Sequence, residues 1–123
     1  MLGDANALVA ALVPGRDAQR RTVTDAARVH GPLQIGESVL AEVCWVLERT
    51  YRMPRSEVAV LVRAALGSRD FRAWDPDLAD TALARMHSAP RLSFVDCLLV
   101  ERALAGETVL TFDRGLARAI ERS

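Results

Sequence analysis

A chain of 123 residues, half of them apolar, has enough material for one compact core and is expected to fold as a single domain over 1–123. Sixteen basic residues, all Arg, balance sixteen acidic ones. No overall basic field therefore draws the chain to nucleic acid, and any polyanion contact has to come from a local patch. The chain has no apolar run of membrane-spanning length and no secretory leader, so a cytoplasmic protein without membrane contact is expected. Cys44 and Cys97 sit among apolar residues in expected helices and read as two buried free thiols.

The opening Met1-Leu-Gly-Asp4 reads as a short strand ending in a carboxylate, followed by a helix from about Asn6 to Val13 that Pro14-Gly15 stops. Asp17 to His30 reads as a surface helix broken by Gly31-Pro32, and Leu33-Gln-Ile35 as a short strand. From Ser38 to Tyr51, Val39, Val43, Val46 and Leu47 fall on one arc at helical spacing, with Glu42 at its edge. Pro54 opens a helix through Val58, Leu61, Val62 and Leu66 that ends near Gly67. The four apolar residues Val58, Val60, Leu61 and Val62 spread around it, as in a helix covered on two sides. Asp70 to Trp74 reads as a third strand, and Asp75-Pro76 as a cap and first turn of a helix reaching Met86 or Ser88. A helix beginning near Ser93 runs to Ala105, Glu107 to Asp113 has the strongest strand pattern, and Arg114 to Arg122 closes as a helix. Strands alternating with helices imply a parallel sheet flanked by helices.

Open parallel sheets bind ligands outside the carboxyl ends of their strands. Asp4 and Asp113 end expected strands, Asp96 stands on the first turn of the helix that begins near Ser93 in the apolar stretch Leu92–Val100, and Glu42 sits on a core-side helix edge. Gathered at one end of the sheet, four carboxylates repel one another unless a cation offsets them, and an all-oxygen set suits Mg²⁺ or Mn²⁺. The chain has no Cys–His spacing of the kind zinc sites use. Each acid also has a local use. Asp4 and Asp113 read equally as helix caps, Ser93-x-x-Asp96 as a capping box, and Glu42 as a solvated helix residue.

Four segments in order resemble the acidic motifs of PIN-domain nucleases: Asp4-Ala-Asn6, Leu40-Ala-Glu42-Val-Cys-Trp, Leu92-Ser-Phe-Val-Asp96-Cys and Thr111-Phe-Asp113-Arg114. The resemblance covers nearly the whole chain and is nearest to the VapC toxins of bacterial toxin–antitoxin pairs. It implies a three-layer α/β/α sandwich around a short parallel sheet of four or five strands. It also implies a metal-dependent endoribonuclease in which Asp4, Glu42, Asp96 and Asp113 hold Mg²⁺ or Mn²⁺ and cut RNA, structured RNA such as tRNA or rRNA among the candidates. Asn6, Ser93 and Thr111 match positions that assist the acids. A cognate VapB-type antitoxin and a homodimer are the implied partners. Arg16, Arg20, Arg21, Arg114 and Arg118 are candidate phosphate contacts, Arg114 foremost. Trp45, Trp74 and Phe71 are expected in the core rather than as base-stacking platforms. The chain departs from the family at Ala5, where Thr or Ser is usual, and in its short first strand. Those departures favour the alternative, a non-catalytic PIN-like module that binds RNA or protein. A receiver-like signalling domain pairs its acids with a Lys, which this chain lacks.

Overall fold

The computed structural model describes residues 1–123. Seven helices form: α1 Ala5–Leu12, α2 Asp17–His30, α3 Glu37–Arg49, α4 Arg55–Leu66, α5 Pro76–Ser88, α6 Phe94–Leu104 and α7 Arg114–Glu121. Their starts follow from capping chemistry. Asp4, Asp75, Ser93 and Asp113 each accept a hydrogen bond from a first-turn amide of the helix they precede, and Pro76 stands in the first turn of α5. The core is a single cluster built on the inward faces of α1, α3, α4, α5 and α6, with Leu8, Leu40, Leu47, Val62, Leu83 and Met86 fully buried.

The sheet is smaller than the sequence pattern predicts. Only β1, Leu33–Ile35, and β2, Phe71–Ala73, pair, in parallel, and the first strand contributes a single parallel bridge from Leu2 to Gln34. The expected strand over Glu107–Asp113 does not form. Its amides make no backbone bond to any strand; the Glu107 amide returns to Arg102 and the Asp113 amide to the Thr111 hydroxyl. Leu110 and Phe112 stand 87% and 96% exposed. Strand propensity largely reflects packing against neighbours, and one bridging residue offers this segment no ladder. The sheet thus has two strands rather than four or five. Its buried–half-buried–buried and buried–exposed–buried patterns put one face in the core and leave the other open. The second helical layer of a sandwich does not close over that face.

Side chains tie the helices together. Arg63 bonds Asp80 between α4 and α5 at 2.8 and 3.2 Å, Arg85 bonds Glu101 between α5 and α6 at 2.7 Å, and Arg102 meets both oxygens of Glu37 at 3.1 Å. Arg55 reaches furthest. From the start of α4 its guanidinium donates to the carbonyls of Met86 (3.4 Å), Ala89 (3.0 Å) and Leu92, and it lies 3.7 Å from Glu48. One side chain thereby fixes the connection between α5 and α6.

Candidate active site

Three of the four acids stand at helix N-termini, and the caps the sequence allowed are all made. Asp4 Oδ1 accepts from the Ala7 amide at 2.9 Å, and Asp113 Oδ1 from the Leu116 amide at 2.8 Å. Asp96 and Ser93 close a capping box: Asp96 Oδ2 accepts from the Ser93 amide at 3.3 Å, and Ser93 Oγ from the Asp96 amide at 3.1 Å. Each aspartate therefore commits one oxygen to orientation and keeps the other free of protein donors. The cap holds each carboxylate in place.

The hydroxyls beside two of the acids do related work. Ser93 Oγ holds the amide of Asp96, and Thr111 Oγ1 holds the amide of Asp113 at 3.0 Å. Both bonds are the capping and turn contacts that these residues make locally. Asn6 is exposed and its side chain makes no hydrogen bond. Ala5, at the position where a hydroxyl is usual, is buried at the foot of α1.

A surface cavity of about 430 Å³ brings Asp96 and Asp113 together, with Arg91, Arg118 and Arg122 on its walls and the backbone of Ala89 to Leu92 along one side. Glu42 lines the adjoining groove of about 400 Å³ with Ser93, Trp45 and Val95, so the capping box lies between the two spaces. Asp4 lies at the carboxyl end of the Leu2 bridge and lines neither cavity. No three His, Cys, Asp or Glu side chains stand close enough together to hold a metal ion. What fits a hard cation is the donor chemistry: oxygen only, with one uncommitted oxygen on each aspartate.

The expected cationic residues divide. Arg118 lines the acidic cavity, while Arg114 projects into solvent beside it and Arg16 lies before α2. Arg20 serves structure: it donates to the Val13 carbonyl at 2.7 Å and pairs with Asp17, tying α2 to the end of α1. Arg91 and Arg122 also line the cavity; no motif marks Arg91, whereas Arg114, Arg118 and Arg122 recur every four residues along α7 and so share one helix face. The tryptophans stand outside the core where they were expected. Phe71 is buried, but Trp45 and Trp74 are 59% and 63% exposed, and Arg49 stands 6.0 Å from the Trp45 ring.

Both thiols are free and buried. Burial, reinforced by Glu48, pushes Cys44 up to about 12, and burial pushes Cys97 up to about 11, so both are neutral near pH 7. No helix is long and apolar enough to cross a membrane.

Compared with known families, the chain matches the PIN domain over residues 1–121. No curated protein and no solved structure matches it.

Proposed function

From the premise that this chain belongs to the PIN-domain family, whose members are typically metal-dependent nucleases, we propose that it is a Mg²⁺- or Mn²⁺-dependent endoribonuclease of the VapC kind. Asp4, Glu42, Asp96 and Asp113 would hold the ion. Held there, such an ion would supply Lewis-acid polarisation of a phosphodiester and a lowered pKa for its water. The chain's own residues supply position and charge. The caps at α1, α6 and α7 orient three carboxylates, and the Ser93 and Thr111 hydroxyls accept from the backbone amides of Asp96 and Asp113. Arg91, Arg118 and Arg122, with Arg114 beside them and Arg16 further out, contact RNA phosphates.

The observation that carries this reading is the shared cavity: two capped aspartates, each with a free oxygen, facing three arginines that have no acidic partner. An acidic centre ringed by guanidinium groups suits a phosphodiester that must approach both. The cytoplasm, a VapB-type antitoxin over the acidic site and a homodimer complete the proposal. Exposed Val60 and half-buried Leu61, lining a space of about 340 Å³ on α4, are consistent with a covered helix face.

Asp96→Asn and Asp4→Asn test the assignment, because Asn caps helices as well as Asp and the fold should survive. Cleavage of total cellular RNA should vanish in both variants while the melting temperature stays within a few degrees. Unchanged cleavage in both would remove these residues from the site. The non-catalytic alternative draws on the acids' failure to gather in threes. Under that reading, Mn²⁺ would neither raise the melting temperature nor support cleavage in the unaltered chain.

A further inference from the structure

The open face of the sheet ends in an aromatic ring. Leu33, Ile35, Phe71 and Ala73 point into the core. A Cβ on Gly3 would stand 2.8 Å from Ile35 Cδ1 and 3.0 Å from Leu33 Cδ2, so Gly3 also faces inward. By the two-residue alternation of strands, Leu2, Asp4, Gln34, Gly36, Arg72 and Trp74 belong to the other face. The parallel registers Leu2 with Gln34 and Ile35 with Ala73, continued through extended backbone at Asp4 and Gly36, set Asp4, Gly36 and Trp74 in one line across the carboxyl ends. At ~4.8 Å per strand, Asp4 and Trp74 are about 10 Å apart along the backbone row.

Gly36 matters in that row for what it lacks. A Cβ there would come within 3.0 to 3.2 Å of three carbons of the Trp74 ring, so the indole lies directly on the glycine. Its remaining surface is open, which accounts for the 63% exposure. Arg72, one pleat earlier on the same face, is exposed and belongs to none of the six ion pairs.

We infer that Trp74 is a nucleobase platform which, with Arg72 on the adjacent phosphate, holds one nucleotide of single-stranded RNA beside Asp4. The inference rests on the ribonuclease reading for its ligand and on the sheet register for its geometry. A ring backed by main chain and bare above offers a base a stacking surface that needs little ordering, and stacking is tolerant of base identity. A guanidinium on the same face favours a polyanion over an apolar protein surface. Trp74 is a binding residue in this account; it touches no reacting atom.

The test is binding of a fluorescently labelled single-stranded oligoribonucleotide, followed by anisotropy with Asp96→Asn as the non-cleaving parent. Adding Trp74→Ala should weaken binding about tenfold, whereas Trp74→Phe should stay within about threefold of the parent. In the cleaving chain, Trp74→Ala should raise KM with kcat unchanged. Equal affinity and KM for Trp74→Ala and its parent would overturn the inference while leaving the nuclease assignment intact. Loss of self-association by sedimentation with RNA binding unchanged would also overturn it, marking the ring as a protein contact. An unaltered chain that does not cleave RNA, together with a parent that does not bind it, would sink the nuclease reading, and this inference with it.

Discussion

Under the proposed function, Asp96 serves both fold and chemistry. Its Oδ2 closes the capping box of α6 while Oδ1 is left for a ligand. Truncation and isosteric replacement should therefore separate the two roles. Asp113→Ala, which removes a cap, should cost about 1 kcal/mol in denaturant unfolding; Asp113→Asn should cost only a few tenths while removing cleavage just as fully. Equal stability of the two variants would argue against the cap. The buried thiols make a separate prediction. Their folded pKa values are raised from 9 to about 12 and about 11, so the unfolded chain releases its protons first. Their stabilising contribution is complete below pH 9 and declines as pH rises through 11 to 12. Melting temperature should fall more steeply above pH 9 in the native chain than in a Cys44→Ala/Cys97→Ala variant. Parallel alkaline profiles would contradict that.

At the scale of elements, Arg55 holds the α5–α6 connection that forms one side of the acidic cavity. Arg55→Ala leaves three carbonyls without their donor and should destabilise the chain by about 2–4 kcal/mol, read from urea midpoints. A change under about 0.5 kcal/mol would show that water replaces the guanidinium there. By contrast, Phe112→Ser should change stability by less than about 0.5 kcal/mol, since its ring is 96% exposed; a large loss would mean the 107–113 segment docks as a strand in solution. The helices were legible because their signals are local: Asp75-Pro76 and Ser93-x-x-Asp96 mark starts that the structure reproduces. Glu107–Asp113 misled because alternating β-branched and apolar residues register a strand's propensity but not its partner. The first strand supplies only Leu2 as a bridge, a tertiary fact that no local pattern carries. The same limit hid Trp74. Its exposure depends on Gly36, 38 positions away, lying opposite it in the sheet.

On the scale of the whole molecule, balanced charge means that the proposed RNA affinity has to come from an uneven distribution rather than from net attraction. Arg91, Arg118 and Arg122 gather around Asp96 and Asp113, while Arg63, Arg85 and Arg102 are engaged in bonds between helices. Four carboxylates drawn from four parts of the chain were legible as candidates. Their separation into a paired cavity, an adjoining groove and the end of the Leu2 bridge was not. The account's central claim is that these acids nonetheless serve one ion site. Calorimetric titration with Mn²⁺ tests it most directly. The unaltered chain should bind the ion, and Asp4→Asn, Glu42→Gln, Asp96→Asn and Asp113→Asn should each weaken binding about tenfold or more. A titration without heat, or four variants that bind Mn²⁺ as the unaltered chain does, would contradict it.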